Sequence, residues 1–111
     1  MKVFYQQSAA DDVVRQFRYY LVTQDLPRIA IRFLDAVRRT VDDLPKHPQI
    51  GPRYSTANRQ LQNLRSWPVT GFEAIRIYYL AEPALIRVIR ILHSKRDVTS
   101  ILDSETTSPE E

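Results

Sequence analysis

The chain has 111 residues, which is enough for one compact domain and too few for a large cleft between two domains. It has no cysteine and only two histidines, so disulfides and thiolate chemistry are excluded, and we expect neither a metal nor a cofactor. The net charge is +3, but residues 1–102 hold all 16 Lys and Arg and nine of the 13 Asp and Glu residues, for a net charge of +7. Since 13 of these cations are arginine, the basic body suits nucleic acid or an acidic protein partner, although solvated surface is an equally good explanation.

The N-terminal pattern predicts a strand and then an amphipathic helix. Residues 2–6 alternate as a strand does, and Ser8 stands where an N-cap is expected, with Asp11 completing a weak capping box. Apolar residues then recur at helical spacing and predict one buried stripe, made of Ala10, Val13, Val14, Phe17 and Leu21.

A second helix is predicted to begin at Pro27, because proline suits the first turn, and to end at Pro45. Its apolar stripe consists of Ala30, Phe33, Leu34, Val37, Val41 and Leu44. The two helices form an αα-hairpin. Residues 45–60 contain three prolines and one of the two glycines, which indicates a long irregular connection back to the strands.

Three strands are predicted after this loop, over residues 61–69, 71–80 and 85–93, and the last two form a hairpin across residues 81–84. A turn of helix is expected at 97–102. We therefore predict an α+β fold, β-α-α-β-β-β, with the N-terminal strand and αα-hairpin packed on a small antiparallel sheet. Residues 1–102 form the single domain, and residues 103–111 form a disordered acidic tail or fold back on the basic face as an internal anion mimic.

Strict alternation divides the last strand into two mostly apolar faces, so we expect the strand to lie between the helices and a further cover, which is the C-terminal segment or another chain. One face carries Ile86, Val88, Arg90 and Leu92, and the other carries Leu85, Arg87, Ile89, Ile91 and His93. Arg76, within the preceding strand, either pairs with Glu73 or an aspartate, or points into a binding concavity.

Metal-free RNA cleavage needs a general acid, a general base and cations. His93 can transfer a proton, although a histidine that closes a strand is more often a hydrogen-bonding residue. The second proton-transfer group is not evident. Cations are available from Arg65, Arg76, Arg87, Arg90, Lys95 and Arg96. The aromatic residues of the strands can stack bases, but packing explains them more simply.

Several segments together resemble the ParE/RelE superfamily of toxins from bacterial type II toxin-antitoxin systems. Besides the early strand and the helix start at Ser8–Asp12, they are the proline-rich residues 44–51, Leu-Arg-Ser-Trp-Pro-Val at 64–69, Ile-Arg-Ile-Tyr-Tyr at 75–79 and Ile-Leu-His-Ser-Lys-Arg-Asp at 91–97. The resemblance covers residues 1–102.

The resemblance implies one of two activities. RelE-like members are ribosome-dependent mRNA endonucleases, and Arg76 and Arg96 fall where those enzymes have catalytic arginines, with His93 as a further candidate. Leu102, however, stands where a C-terminal tyrosine is expected, and the lysine-rich approach to the middle strands is replaced by residues 59–63. The ending at 93–97 resembles the ParE side, which implies inhibition of DNA gyrase without covalent chemistry.

The resemblance further implies a cytoplasmic toxin, with no membrane span, in a hetero-oligomer with a ParD-like antitoxin whose acidic, amphipathic C-terminal segment folds on the αα-hairpin and the sheet groove. Candidate groove residues are Val13, Phe17, Phe33, Val37 and Tyr78. Candidate target contacts are Arg65, Arg87, Arg90, Lys95 and Arg96. A third possibility is a non-toxic basic module that docks an antitoxin-like repressor or nucleic acid.

Overall fold

The computed structural model describes residues 1–107 and confirms the α+β fold and the order of its main elements. Among these residues no helix has the length and hydropathy that crossing a membrane requires. In chain order the elements are β1 (Lys2–Tyr5), α1 (Gln7–Arg18), a π-helical turn (Tyr19–Thr23), α2 (Pro27–Asp43), 3₁₀ turns (Leu44–Lys46 and Arg59–Leu61), β2 (Arg65–Val69), β3 (Phe72–Glu82), β4 (Leu85–His93) and α3 (Val98–Asp103).

The sheet is mixed, with the strand order β1-β4-β3-β2. Strands β2, β3 and β4 form the expected antiparallel meander, whereas β1 pairs with β4 in parallel. The prediction of a purely antiparallel sheet is therefore wrong for β1. A tight hairpin forces antiparallel pairing, but β1 is connected to the other strands through the whole αα-hairpin, so no turn fixes its direction.

Both faces of the sheet are covered, and the second cover is the C-terminal segment. The helix-side core lies under α1 and α2, and the α3-side core lies under α3 and the segment that precedes β2. The helix-side core contains Phe33, Val37, Val41, Ile75, Ile77, Tyr79, Ile86, Val88 and Ile91, among others. The α3-side core contains Leu61, Leu64, Tyr78, Leu80, Ile89, Leu92 and Leu102.

A β-bulge in β4 changes which residues share a face. Tyr78 pairs with Arg90 and Tyr79 pairs with Val88, so Ile89 is an extra residue without an opposite partner. Ile91 therefore belongs to the helix-side core and Ile89 to the α3-side core. The predicted alternation of β4 is wrong beyond Val88, because alternation assumes that no residue is inserted.

The face of helix α1 that packs on the sheet is rotated from the predicted one, although Val13 of the predicted stripe is partly buried against the helix-side core. The helix begins at Gln7, so Ser8 lies within the helix, and no side chain caps the N-terminus. The buried residues are Ala9 and Asp12. Val14 of the predicted apolar stripe is 49% exposed, and Leu21, which lies beyond the end of α1, is 37% exposed.

The reason is that β4 is longer than its neighbour β1. The register ends at Tyr5 opposite Val88, so β4 beyond Val88 has no strand on this side. Side chains of α1 bind the free backbone groups there. Asp12 Oδ2 accepts a hydrogen bond from Ile91 N at 2.9 Å, and Gln16 Nε2 donates to Ile91 O at 2.9 Å. A polar face of α1 thus takes the place of a fifth strand, and part of its apolar face stays exposed.

Helix α2 agrees more closely with its prediction, since Pro27 is at its N-terminus and Phe33, Val37 and Val41 are buried. Leu34 is the exception, at 39% exposed. Thr40, which was not in the predicted stripe, is buried. Its Oγ1 donates to the carbonyl oxygen of Ala36 at 2.7 Å, as the helix geometry allows.

The loop after α2 is fastened to the sheet around Gly51. A Cβ atom at Gly51 would lie 2.5 Å from the carbonyl oxygen of Ser66, so only glycine permits this approach. Tyr79 Oη donates to Pro48 O at 2.9 Å and accepts from Gly51 N at 3.1 Å. The loop is therefore held by a tyrosine of the central sheet.

Residues 103–107, the described part of the acidic tail, pack on the body of the domain. Asp103 is the last residue of α3, and its Oδ1 accepts a hydrogen bond from Thr56 Oγ1 at 2.8 Å. Glu105 bonds Ser8 and Arg90. Of these partners only Arg90 is basic. The remaining part of the tail, residues 108–111, lies outside the described residues.

Candidate functional site: a cationic pocket at the end of strand β4

Arg90 is the centre of a buried ion cluster. Its Nε and Nη2 atoms each lie 2.7 Å from a carboxylate oxygen of Asp12, and its Nη1 lies 2.9 Å from Glu105 Oε1. Asp12 is fully buried and also binds Arg15 at 2.6 Å. Hydrogen bonding to Asp12 is the main cause that raises the pKa of Arg90, against the opposing effect of burial. Arg90 is committed to holding α1, β4 and the C-terminal segment together.

Two other candidate target contacts are also engaged within the chain. Arg87 forms two hydrogen bonds with Glu82 and lies 5.4 Å from the centre of the Phe4 ring. Arg65 donates to the carbonyl oxygens of Gln49 and Gly51, at 3.2 and 2.8 Å. Both arginines therefore make contacts that stabilise the folded domain.

The last two candidates, Lys95 and Arg96, lie on a pocket. They follow β4 directly, and both are exposed. Within residues 1–107 neither side chain has a hydrogen bond or an ion pair. The pocket has a volume of about 400 Å³ and is lined by Arg15, Gln16, Tyr19, Tyr20, His93, Lys95 and Arg96.

The pocket walls come from two elements that meet at the end of the sheet. One wall is the C-terminal part of α1 with the π-helical turn, where the rings of Tyr19 and Tyr20 lie 5.7 Å apart at 69°. Burial raises the pKa of Tyr20. The other wall is the end of β4, where His93 Nδ1 accepts a hydrogen bond from Lys95 N at 3.1 Å. This contact orders the turn that carries the two free cations.

Of the three residues proposed for RNA cleavage, His93 and Arg96 share the pocket, but Arg76 lies apart from them. His93 is opposite Ile75, which belongs to the helix-side core, whereas Arg76 is opposite Leu92, which belongs to the α3-side core. Since directly opposed residues of paired strands share a face, His93 and Arg76 lie on opposite faces. Arg76 Nη2 donates to Ser66 Oγ at 3.0 Å, so its partner is neither Glu73 nor an aspartate.

The groove candidates are divided as well. Phe33 is fully buried in the helix-side core and Tyr78 is 3% exposed in the α3-side core, so they are core residues of the described chain. Val13 lines a groove between α1 and α2 with a volume of about 220 Å³, beside Leu34, and Val37 is also in its lining although it is only 3% exposed. Phe17 is half-buried. The helical hairpin also has exposed apolar residues, namely Val14, Leu21, Val22, Leu26 and Ile31.

Sequence reasoning did not identify Arg15, Gln16, Tyr19 or Tyr20 as pocket residues. The two tyrosines near the end of the helix were the available signal, but the π-helical turn that directs them toward β4 has no simple pattern. Among residues 1–107 no three His, Asp or Glu side chains are grouped as a metal ion would require.

The fold and the pocket define a small α+β domain with a basic, tyrosine-lined site and an exposed apolar helical hairpin. The family model for the ParE toxin of type II toxin-antitoxin system, parDE, matches residues 3–98. The chain therefore belongs to the ParE toxin family, as the resemblance in its sequence predicted.

A solved structure supports the same fold. A chain from the chromosomal ParDE TA system from P. aeruginosa is 18% identical, with a TM-score of 0.68 over 84% of this chain and 95% of that chain. At this identity the likeness establishes the fold alone. No curated protein sequence gives a significant match to the chain.

Proposed function

We propose that this ParE-family protein inhibits DNA gyrase by binding and does not itself cleave nucleic acid. The observation that carries the proposal is the separation of the nuclease candidates on two faces of the sheet. Proton transfer and charge stabilisation must act on one phosphate, so the groups responsible must lie within hydrogen-bond reach of the same atoms. With Arg76 on the opposite face from His93, binding is better supported than cleavage.

Leu102 gives further support to this proposal. The resemblance to RelE-like nucleases implies a tyrosine at this position, but Leu102 is an apolar residue and is fully buried in the α3-side core. An apolar buried side chain cannot transfer a proton. The ribosome-dependent nuclease remains the second candidate. His93 and Arg96 line the same pocket, and Arg96 falls where RelE-like nucleases have a catalytic arginine.

We infer that Lys95 and Arg96 make the target contacts. A long-range encounter depends on charge that is free to approach the partner, and these two side chains are exposed and have no partner among the described residues. Arg65, Arg87 and Arg90 would first have to give up their contacts within the chain.

The antitoxin site in this proposal is the groove lined by Val13 and Val37, together with Phe17 and the exposed apolar residues of the helical hairpin. An amphipathic helix binds such a surface through side chains spaced three and four residues apart. Arg38 lines the same groove, so acidic residues on the partner would be complemented. Binding here would bury the part of α1 that the domain leaves exposed.

The test is supercoiling by purified gyrase with antitoxin-free protein, with inhibition and cleaved plasmid both recorded. We expect inhibition, reversal by the antitoxin, and loss of inhibition in Arg96→Gln but not in Arg59→Gln, an exposed arginine outside the pocket. Undisturbed gyrase together with ribosome-dependent transcript cleavage would replace the proposal with the nuclease. Growth without arrest in cells that lack the antitoxin would favour the non-toxic module.

A further inference from the structure

The pocket at the end of β4 combines two kinds of recognition group. The wall at the end of β4 carries two cations with no counter-ion among the described residues, Lys95 and Arg96. The wall formed by α1 and the π-helical turn carries Tyr19, which is 49% exposed. The volume of the pocket, about 400 Å³, lies in the range of small-molecule sites, about 300–1,000 Å³. It is too large for a single carboxylate or phosphate.

The cationic wall suits a phosphate. Arginine offers a planar set of donors that matches phosphate oxygens, and lysine adds a mobile positive charge. His93 contributes its second ring nitrogen, Nε2, because its Nδ1 already accepts a hydrogen bond from Lys95 N at 3.1 Å. With Nδ1 used as an acceptor, Nε2 is the ring nitrogen that can donate to a ligand. A phosphate oxygen is an acceptor for all three groups.

The aromatic wall suits a base. Tyr20 packs against Tyr19 edge to face, which fixes the orientation of the Tyr19 ring while leaving it about half exposed. Gln24 Nε2 donates to Tyr19 Oη at 3.0 Å and restrains the ring further. A fixed ring is a stacking platform, and every nucleobase has a face that can stack on it.

Gln16 adds an unused acceptor to the pocket wall. Its Nε2 donates to Asp12 O and to Ile91 O, so the orientation of the amide is determined. Its Oε1 is buried and has no hydrogen-bond partner among the described residues. Buried polar atoms are usually paired, so this acceptor is an exception in the pocket wall.

We propose that this pocket binds one nucleotide of a single-stranded nucleic acid, with the base on Tyr19 and the phosphate at His93, Lys95 and Arg96. An acidic peptide would satisfy the cations but would leave the tyrosine ring without a partner, so the nucleotide accounts for more of the site. This proposal shares Lys95 and Arg96 with the proposed gyrase contacts, but Tyr19 belongs to the nucleotide proposal alone, so the supercoiling and oligonucleotide-binding assays can fail separately.

The test is fluorescence anisotropy of labelled oligothymidylate and oligouridylate with the full-length, antitoxin-free protein, at about 50 and about 200 mM salt. We expect both probes to bind, and tighter binding of one would distinguish DNA from RNA as the ligand. Arg96→Gln should weaken binding roughly tenfold and lower the salt dependence by about one phosphate contact, while the matched Arg59→Gln should not.

The ring is tested separately from the charge. Tyr19→Ala should weaken binding about 5- to 100-fold, and Tyr19→Phe, which keeps the ring, should bind nearly as wild type does. The Tyr19→Phe variant keeps the test valid if Tyr19→Ala fails to fold. Equal losses in Arg59→Gln and Arg96→Gln, or no binding at the lower salt, would overturn the proposal. Binding of oligoglutamate in place of the oligonucleotides, with the same sensitivity to Arg96→Gln, would assign the pocket to an acidic protein segment.

Discussion

Arg90 and Arg96 are close in the chain but differ in almost every physical respect. Arg90 has a side chain only 14% exposed and is bound by the carboxylates of Asp12 and Glu105. Arg96 is exposed beside the pocket and has no ion pair within residues 1–107. Arg90 therefore stabilises the interior, whereas Arg96 lies on the surface. The two roles differ because acidic residues distant in sequence lie beside Arg90, and the local pattern of charge does not show this.

The largest loss of stability is expected when Asp12 is removed from the buried ion cluster. Asp12→Ala leaves Arg90 without its main counter-ion and also leaves Ile91 N unpaired, so the free energy of unfolding should fall by about 3–5 kcal/mol. Urea denaturation measures this loss. The neighbouring exposed Asp11, substituted in the same way, is the control and should change the stability little. Equal effects at the two positions would show that Arg90 does not depend on Asp12.

A smaller loss is expected at the second acid of the cluster. Glu105 lies 2.9 Å from Arg90 and 2.8 Å from Ser8, and Asp12 would still hold Arg90 after Glu105→Ala. We expect a loss of about 1.5–3 kcal/mol, the range for hydrogen bonds to charged groups. Thr106→Ala, next in the chain and exposed, is the control in the same denaturation series. A loss above that of Asp12→Ala would reverse the ranking of the two acids.

The pocket cations should behave in the opposite way. Lys95→Gln and Arg96→Gln should each change the free energy of unfolding by less than about 0.5 kcal/mol, because both side chains are exposed and unpaired among the described residues. The same variants should lose activity in the supercoiling assay. A variant that loses both stability and inhibition would give the pocket a structural role like that of Arg90.

The smallest effect concerns the partly buried phenol of Tyr5, whose pKa is raised by burial and lowered, but not back to its usual value, by the nearby charge of Arg38. Burial, with a smaller contribution from the charge of Asp42, raises the pKa of Tyr5 to about 12 from the usual 10.0. The stability that this neutral phenol contributes is complete below pH 10.0 and is lost as the pH rises toward about 12.

Tyr5→Phe removes that ionisation. The difference in unfolding midpoint between wild type and Tyr5→Phe should therefore shift in favour of the variant as the pH is raised above 10.0, and thermal melts in a pH series measure it. Measurements below pH 9 provide the baseline, where the difference should be constant. A constant difference through the whole series would mean that Tyr5 titrates as it does in the unfolded chain.

Much of the fold was predictable because local rules govern it. Pro27 set the start of α2, the β-branched runs marked β3 and β4, and the two apolar faces of β4 required covers on both sides. The bulge at Ile89 was not predictable, since it depends on the register with β3. The parallel pairing of β1 also lay beyond local pattern, because no turn connects β1 to β4.

The site was predictable in part. Lys95, Arg96 and His93 were proposed from their position at the end of a strand, and the structure brings all three to one pocket. Arg90 was assigned to the same group because a sequence does not show which arginine has a distant acid. The face of α1 that packs on the sheet was predicted incorrectly for a related reason. Helical periodicity predicts that the apolar stripe is buried, but here the edge of β4 selects the polar face with Asp12 and Gln16.

The ion cluster around Arg90 joins residues that are far apart in the sequence, which has a consequence for synthesis of the chain. The contact between Ser8 and Glu105 spans 97 positions, and that between Asp12 and Arg90 spans 78. Contacts of such separation form late, since the intervening chain must first be made and then ordered. A nascent chain that stops short of Glu105 therefore has α1 and β4 but not the acid that completes their cluster. The order of translation thus delays the finished domain until its C-terminal segment has been made.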